Sequence, residues 1–235
     1  MKITYYGHSC FAVEAGGKRL LFDPFIRGNA LAEGKVDVDN LRCDYLLLSH
    51  AHADHSGDAE TVLRNNPDAT LIGIWEISQR YEAKGFKTHP MNKGGWFSFD
   101  FGRVKMVQAA HSSSFPDGSY GGEPAGFVLD TPDGVLYFAG DTALTLDMQL
   151  IPLTCPNLDL AILPIGSNFT MDYNDALIAS DFIQCKRVIP CHYDTFGYIV
   201  VDHEAAAAAF KAAGKELIFL PVAEQTTFAT NKQKA

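Results

Sequence analysis

A nine-residue run at positions 49–57, Ser-His-Ala-His-Ala-Asp-His-Ser-Gly, constrains this chain more than any other stretch. Its ligand-type side chains are His50, His52, Asp54 and His55. The apolar residues 44–49 read as a short buried strand, and residues 58–65 have a helix-like pattern. Imidazole and carboxylate ligands without a nearby thiolate suit Zn²⁺, Mn²⁺ or Fe²⁺. A solvated histidine-rich loop is the alternative, but four ligands directly after a buried strand favour a metal site.

The pattern His-x-His-x-Asp-His in this run resembles the signature of the metallo-β-lactamase superfamily. The resemblance implies one or two metal ions in a pocket between two β-sheets. It also implies three further ligands downstream, namely a lone His, an Asp after a Gly, and a His near the end of the chain. The sequence supplies them in this order as His111, Asp141 and His192. The resemblance extends over essentially the whole chain.

The superfamily pattern implies how the ligands divide between two divalent ions, with Zn²⁺ expected and Mn²⁺ or Fe²⁺ as alternatives. The first ion would bind His50, His52 and His111. The second would bind Asp54, His55 and His192, with Asp141 bridging both ions. A water between two cations loses a proton near neutral pH, so a metal-bridging hydroxide is the expected nucleophile. Asp54 and Asp141 are the expected catalytic residues, because Asp54 could orient this hydroxide or take up its proton.

Three residues outside the ligand set are candidates for the pocket or for supporting the ligands. Asp23 follows an early strand and either caps a turn or, as the resemblance implies, orients a metal-binding histidine. His8 lies in the turn Gly-His-Ser and either lines the pocket or is an ordinary turn histidine. Asn168 lies in the segment Ile-Gly-Ser-Asn-Phe-Thr-Met. This segment, Gly-His-Ser and His-Tyr-Asp-Thr-Phe resemble one superfamily branch, the compact metal-dependent hydrolases related to the L-ascorbate-6-phosphate lactonases.

Three further residues of ligand type are predicted to lie outside the site. His89 precedes a proline without ligand-type neighbours, and His203 falls in the first turn of a helix, so both are interpreted as surface histidines. Cys191 is next to His192, but neighbouring side chains on a strand point to opposite faces. Cys191 is therefore not expected to bind the metal.

Alternating strand and helix patterns predict an α/β fold in a single domain over residues 1–235. The resemblance implies a four-layer αββα sandwich, with two mixed β-sheets between outer helices. Polar loops at 28–42 and 115–123 are candidates for a lid, and residues 231–235 are expected to be frayed. The predicted strands are 2–6, 10–14, 19–22, 44–49, 69–74, 97–101, 104–109, 126–131, 135–139, 158–163, 187–190 and 216–220, and the predicted helices are 58–65, 75–84, 172–184 and one that begins at Asp202.

Charge and cysteine content limit the partners and the compartment. The chain has 19 basic and 28 acidic residues, a formal charge of −9, and no basic run, so nucleic acid is not an expected partner. No apolar run reaches membrane-spanning length, and the first residues do not resemble a signal peptide. Five scattered cysteines indicate reduced thiols and predict a cytoplasmic protein. A small-molecule substrate is the expected partner, and a homo-oligomer is compatible with the sequence.

These features predict a metal-dependent hydrolase. The same hydroxide could attack a carboxylic ester, a lactone, an amide or a phosphodiester, so the bond type stays open. A mononuclear iron oxygenase or a redox protein on the same fold is the alternative. The oxygenase usually needs fewer ligands, and the redox protein adds a flavin-binding domain that we do not expect within 235 residues. A binding module with a vestigial site is disfavoured because every ligand position is filled.

Overall fold

Short, mostly buried runs form fourteen strands within residues 1–231, the part of the chain that the computed structural model describes. In chain order they are β1 (Lys2–Tyr5), β2 (Phe11–Ala15), β3 (Lys18–Phe22), β4 (Tyr45–Leu47), β5 (Thr70–Ile74), β6 (Thr88–Met91), β7 (Trp96–Phe99), β8 (Gly102–Gln108), β9 (Ala125–Thr131), β10 (Gly134–Phe138), β11 (Leu160–Pro164), β12 (Arg187–Cys191), β13 (Glu216–Leu217) and β14 (Gln225–Thr227). The α-helices are α1 (Ala53–Ser56), α2 (Ala59–Asn65), α3 (Trp75–Glu82), α4 (Ile151–Thr154), α5 (Tyr173–Phe182) and α6 (His203–Ala212), with 3₁₀ turns at Val38–Asn40 and Leu146–Leu150.

The strands form two mixed sheets of seven strands each, in the orders β14-β1-β2-β3-β4-β5-β6 and β13-β12-β11-β10-β9-β8-β7. The first sheet is parallel from β3 to β6, and the second is parallel from β10 to β13. The sheets pack through buried aromatic rings, and the ring centroids of Phe22 and Phe138 are 4.8 Å apart. Helix α3 packs on β5 and β6, whereas α5 and α6 pack on β11 and β13. The predicted αββα sandwich is therefore confirmed.

One contiguous core includes buried residues of both sheets. This follows from strands that are apolar on both faces, such as β10 and β11, in which every residue is buried. The single-domain organisation stays a prediction that this shared core supports. No helix in residues 1–231 combines the length and the apolar character needed to cross a membrane.

Two short strands have no counterpart among the predicted ones. Strand β6 contains Pro90, which argues against a central strand but is tolerated at the sheet edge where β6 lies. Strand β14 has three residues and no apolar pattern. The predicted strand 216–220 was too long, because β13 ends at Leu217. His89 lies on β6 and is partly exposed, with its ring centroid 4.1 Å from that of Phe97, so its interpretation as a surface histidine is compatible with the structure.

Both candidate lids are tied to helices. In the segment 28–42, the Leu41 carbonyl accepts a hydrogen bond of 2.9 Å from Asn66, which follows α2. In the segment 115–123, the Arg80 guanidinium of α3 donates to Ser119 at 2.7 Å and lies 4.1 Å from the centre of the Phe115 ring. The frayed end predicted for residues 231–235 falls outside the described residues except for its first one, whose amide donates to an aspartate side chain at 2.7 Å.

Candidate metal centre

The predicted ligands follow the carboxyl ends of strands. His50 and His52 come after β4, and the short helix α1 then presents Asp54 and His55. The other ligands are His111 after β8, Asp141 after β10 and His192 after β12. The carboxyl ends of parallel strands meet at one edge of a sheet, which is where α/β proteins place their ligands. The topology thus gathers residues that lie up to 142 positions apart in the sequence, from position 50 to position 192.

Three histidines form what we call the outer group, His50, His52 and His111, with ligand nitrogens within 4.8 Å of one another. His50 Nε2 lies 3.0 Å from His52 Nδ1. The ring centroid of His111 is 5.2 Å from that of His50 and 5.1 Å from that of His52. His50 is buried, and the other two are partly exposed. The structure thus brings together the three residues predicted for the first metal.

A second set of side chains forms the inner group, His8, Asp54, His55 and His192, again within 4.8 Å of one another. Asp54 Oδ2 lies 3.1 Å from His8 Nε2 and 3.8 Å from the Nε2 atoms of His55 and His192. The three histidine side chains are 0–2% exposed, and that of Asp54 is 26% exposed. The three residues predicted for the second metal therefore meet, and His8 joins them. An ordinary turn histidine does not fit this position, but His8 is buried within the inner group and does not itself line the cavity beside it.

Asp141 lies between the two groups. Its Oδ2 is 2.9 Å from His192 Nε2 and 3.6 Å from His111 Nε2, and its Oδ1 is 3.3 Å from His55 Nε2. The carboxylate is 2% exposed and contacts both groups, which is the position required of a shared ligand.

Asp23 orients residues of both groups from behind. It accepts hydrogen bonds from His55 Nδ1 at 2.7 Å and from the Ser49 hydroxyl at 2.5 Å. Because the Ser49 hydroxyl donates its only hydrogen to Asp23, it must accept a hydrogen bond from His50 Nδ1, which lies 3.0 Å away. Nδ1 of each histidine is therefore engaged from behind, and Nε2 of each is the atom directed to the centre of the site. Asp23 lies where the resemblance implied.

The backbone of three site residues is left-handed, with φ values of 56° for His8, 40° for Asp23 and 55° for His192. Such backbone in residues other than glycine costs on the order of 1–3 kcal/mol each and persists where the surroundings fix it. One of these restraints is a hydrogen bond of 2.9 Å from the His192 amide to the His8 carbonyl. It joins the turn between β1 and β2 to the end of β12.

The two groups differ in the protonation of their histidines. Burial lowers the pKa of His50, His52 and His111, so the outer group is neutral and ready to ligate at neutral pH. Burial also disfavours the charged ring of His192, but Asp141 outweighs it and raises the pKa of His192 to about 9. The pKa of His55 is raised for the same reason, although burial opposes it. Protons thus occupy inner-group nitrogens that a metal would use.

The matched family fits this arrangement. A family model described as the beta-lactamase superfamily domain matches residues 2–192. This chain belongs to that superfamily. A UPF0173 metal-dependent hydrolase from Christiangramia forsetii is 55% identical over 224 residues, which cover 95% of this chain and 98% of that protein. The chain is thus also a member of the UPF0173 metal-dependent hydrolase family, and the resemblance seen in its sequence is confirmed.

Two solved structures place this superfamily member among known folds. Igni18, described as a novel metallo hydrolase from the archaeon Ignicoccus hospitalis, is 33% identical with a TM-score of 0.88, covering 98% of this chain and 99% of that one. CmlA, described as a diiron beta-hydroxylase from Streptomyces venezuelae, has a TM-score of 0.72 at 12% identity, covering 97% of this chain and 54% of that one. The second likeness concerns the fold alone.

Metal ions of the kind that this superfamily implies fit the residues present. Within residues 1–231, the buried atoms His55 Nε2 and Asp141 Oδ1 make no hydrogen bond, although they lie 3.3 Å from each other. The Thr195 hydroxyl donates to a backbone carbonyl, so it accepts from His8 Nδ1 at 2.9 Å. A neutral His8 then turns its Nε2 lone pair toward the Asp54 carboxylate at 3.1 Å, which requires a proton or a cation between them. The donor set of nitrogens and carboxylate oxygens suits Zn²⁺, Mn²⁺ or Fe²⁺.

A cavity of about 760 Å³ opens onto both groups. Its lining residues, all within residues 1–231, are His52, Asp54, His111, Ser112, Asp141, Phe169, His192, Thr195, Phe196, Gly197 and Tyr198. Neither candidate lid segment contributes to this lining, which leaves the lid interpretation without support. Asn168 is exposed and is not among the lining residues, because the left-handed turn at 167–168 presents Phe169 there instead. The prediction of Asn168 as a pocket residue is therefore corrected to its neighbour.

Sequence reasoning missed several residues that the site uses. Thr195 holds His8 from 187 positions away, and such a pairing leaves no local signal. Ser49 belongs to the signature run, yet its link to Asp23 depends on the pairing of β3 with β4. His203 pairs with Asp194 at 2.7 Å outside the site, and Cys191 is in neither group, in agreement with the sequence interpretation.

Proposed function

We propose that this member of the metal-dependent hydrolase family works with two divalent metal ions, Zn²⁺ in the first place and Mn²⁺ or Fe²⁺ as alternatives. The outer group would hold one ion, and Asp54, His55 and His192 the other. The observation that carries the proposal is Asp141, whose carboxylate is 2.9 Å from His192 and 3.6 Å from His111. A carboxylate buried between two sets of imidazoles has the position of a bridging ligand. These imidazoles are either neutral or carry protons that a metal would displace.

Ions bound in such a pair lower the pKa of water toward neutrality and polarise a substrate oxygen. Of the two carboxylates that line the cavity, Asp54 is the more exposed, at 26% against 2% for Asp141. Burial disfavours the charge of Asp54, but the nearby imidazoles of His192, His8 and His55 outweigh this and hold its pKa well below the usual range. A carboxylate of such low basicity orients a water as an acceptor better than it keeps a proton. Orientation is therefore the role we assign to Asp54.

The proposed reaction is hydrolysis of an ester, lactone, amide or phosphodiester bond in a small molecule. A cavity of about 760 Å³ lies in the range of small-molecule sites. Ser112, at the rim, has its hydroxyl 3.4 Å from His52 Nε2 and can contact a substrate beside the outer group.

The alternative of a mononuclear iron oxygenase or redox protein has only distant likeness on its side. The diiron hydroxylase neighbour shares the fold at 12% identity, which does not carry an activity. A single-iron site would also leave one of the two ligand groups without a task.

Metal analysis combined with an activity panel tests the proposal. The purified protein should carry about two metal ions per chain and hydrolyse at least one member of a lactone, ester, amide and phosphodiester panel. Chelation should remove the activity, and added Zn²⁺ or Mn²⁺ should restore it. One iron per chain, with oxygen consumption and no hydrolysis, would favour the oxygenase instead.

A further inference from the structure

Three aromatic side chains form one side of the cavity, and we call them the aromatic wall: Phe169, Phe196 and Tyr198. Phe169 follows β11, and the other two lie in the loop after β12. Their exposed fractions are 49%, 36% and 79%, which are high for such large apolar rings. Exposed apolar surface beside polar groups that can bind a reacting centre is typical of a ligand site.

The loop that carries two of the wall residues, Phe196 and Tyr198, is held by internal hydrogen bonds. The Asp194 amide donates to the Ile199 carbonyl at 2.8 Å, and the Val201 amide donates to Asp194 Oδ1 at 3.0 Å. Ile199 is fully buried and anchors the loop. The ring of Phe196 lies 5.4 Å from that of His8, so the wall begins directly beside the inner group. A substrate group that extends from the metal centre on this side would contact the wall directly.

The charges around the cavity argue against an anionic substrate group beside the wall. Among the lining residues, all within residues 1–231, there is no lysine and no arginine. Its charged members besides histidine are Asp54 and Asp141, both acidic. Proteins that recognise phosphate or carboxylate groups place guanidinium or ammonium groups on them. The positive charge of metal ions in the site would act on the reacting bond. No cationic side chain would then remain beside the wall to pair with an anionic substrate group.

We propose that the aromatic wall binds an uncharged apolar group of the substrate, an alkyl or aryl substituent. The substrate class is then a neutral ester or lactone with such a substituent, and not a phosphorylated or carboxylated one. Hydrolysis adds one water across the acyl C–O bond: the acyl carbon gains the hydroxyl group, and the leaving oxygen gains the proton. This inference deepens the proposed function and rests on it for the reaction, although the binding preference of the wall can be tested without turnover.

The test uses alkyl hydroxamates, whose two oxygens chelate a metal while the alkyl chain extends along the cavity. We expect the affinity of the metal-loaded protein, measured by calorimetry, to rise about threefold to fourfold for each methylene from acetohydroxamate to hexanohydroxamate. Succinic monohydroxamate, which ends in a carboxylate, should bind at least about tenfold more weakly than the neutral pentanohydroxamate of similar length. In parallel, γ-lactones of increasing chain length should show the same trend in kcat/KM.

Exposed positions allow matched variants. In the double variant Phe169→Ser, Tyr198→Ser, the gain per methylene should fall below about twofold, while acetohydroxamate binds as before. Val200→Ser is the control, because Val200 is 74% exposed on the same loop but does not line the cavity. It should keep the full gain.

The outcomes separate the two proposals. A hydroxamate affinity that does not change with chain length, or that is higher for the carboxylate-bearing compound, overturns the wall assignment even if lactones are hydrolysed. An equal loss of slope in Val200→Ser does so too. A normal slope with no hydrolysis of any panel member leaves the wall assignment standing and removes the proposed function.

Discussion

The inner and outer groups contain similar residues but are built differently. In the inner group, Asp23 fixes the far nitrogen of His55 at 2.7 Å, and Thr195 fixes that of His8 at 2.9 Å. In the outer group, Ser49 fixes His50 at 3.0 Å, while His111 is placed by ring contacts with its two neighbours. The inner histidines are buried, and two of the three outer ones are partly exposed. The histidines of the inner group are thus the more buried of the two sets.

This difference shows how a single fold can give two neighbouring ligand groups different surroundings. Hydrogen bonds to the far nitrogen fix the tautomer and direction of a ligating histidine, and their loss typically costs 10–100-fold in metal affinity. The inner group has two such hydrogen bonds, behind His55 and His8, and also contains the anionic Asp54. The outer group has Ser49 behind His50 and the Ser112 hydroxyl 3.4 Å from His52 Nε2, and it depends on neutral imidazoles. Asp141 contacts both groups, so we expect its substitution to weaken both metal positions. Substitutions elsewhere should weaken mainly one of them.

The largest effect is expected for Asp141→Asn. The amide keeps the shape but loses the charge that both groups share, so both metal positions should weaken by at least about 100-fold. Hydrolysis should fall to background. Metal content after dialysis is the measurement, with circular dichroism as the control for folding. Full occupancy of both positions in this variant would contradict the bridging assignment.

A smaller, one-sided effect is expected for Asp54→Ala and His111→Ala, which form a matched pair. Asp54→Ala should empty mainly the inner position and His111→Ala mainly the outer, each leaving about one metal per chain. Turnover should fall at least about 100-fold in Asp54→Ala, since about 2.7 kcal/mol in the barrier corresponds to that factor. If Asp54→Ala keeps the wild-type metal count and activity, the division into two metal positions is wrong.

A graded effect is expected for His8→Asn. Asparagine tolerates the left-handed backbone at this position, where φ is 56°, but it is too short to reach both Thr195 and Asp54. Metal affinity at the inner position should fall about 10–100-fold, while the outer position keeps its affinity. His8→Gln, whose longer side chain can reach Asp54, should recover part of the loss. Equal affinities in wild type and His8→Asn would show that His8 only fills space.

The candidate ligands could be predicted from the sequence because His50, His52, Asp54 and His55 lie in one run. The resemblance to the superfamily implied the other three, which follow strands whose apolar patterns are clear. The strands of both sheets were mostly predicted for the same reason, since buried parallel strands read as continuous apolar runs. Edge elements such as β6 and β14 were missed because an edge strand needs no such pattern.

What supports the ligands could not be predicted from sequence patterns. The contacts of His8 with Thr195 and Asp54 join three loops, 187 and 46 positions apart, that meet only when both sheets are in place. The aromatic wall could not be predicted either. In the sequence Phe196 and Tyr198 look like ordinary apolar residues, and only the structure shows them exposed beside the buried Ile199. Long-range pairings of this kind carry no periodicity, and so they appear first in the structure.

The smallest expected effect, proton release, reports the difference between the groups directly. In the metal-free protein at pH 7.5, His192 with its pKa of about 9 carries a proton that metal must displace, and the raised pKa of His55 adds to this. The outer histidines have lowered pKa values and have no proton to release. Calorimetry in two buffers of different ionisation enthalpy should therefore show release of about one or two protons per metal for His111→Ala, which keeps the inner position, and about none for Asp54→Ala. The release should decline as pH rises through 9, because His192 is then deprotonated before metal binds. Equal release in the two variants would mean that the inner and outer groups do not differ in protonation.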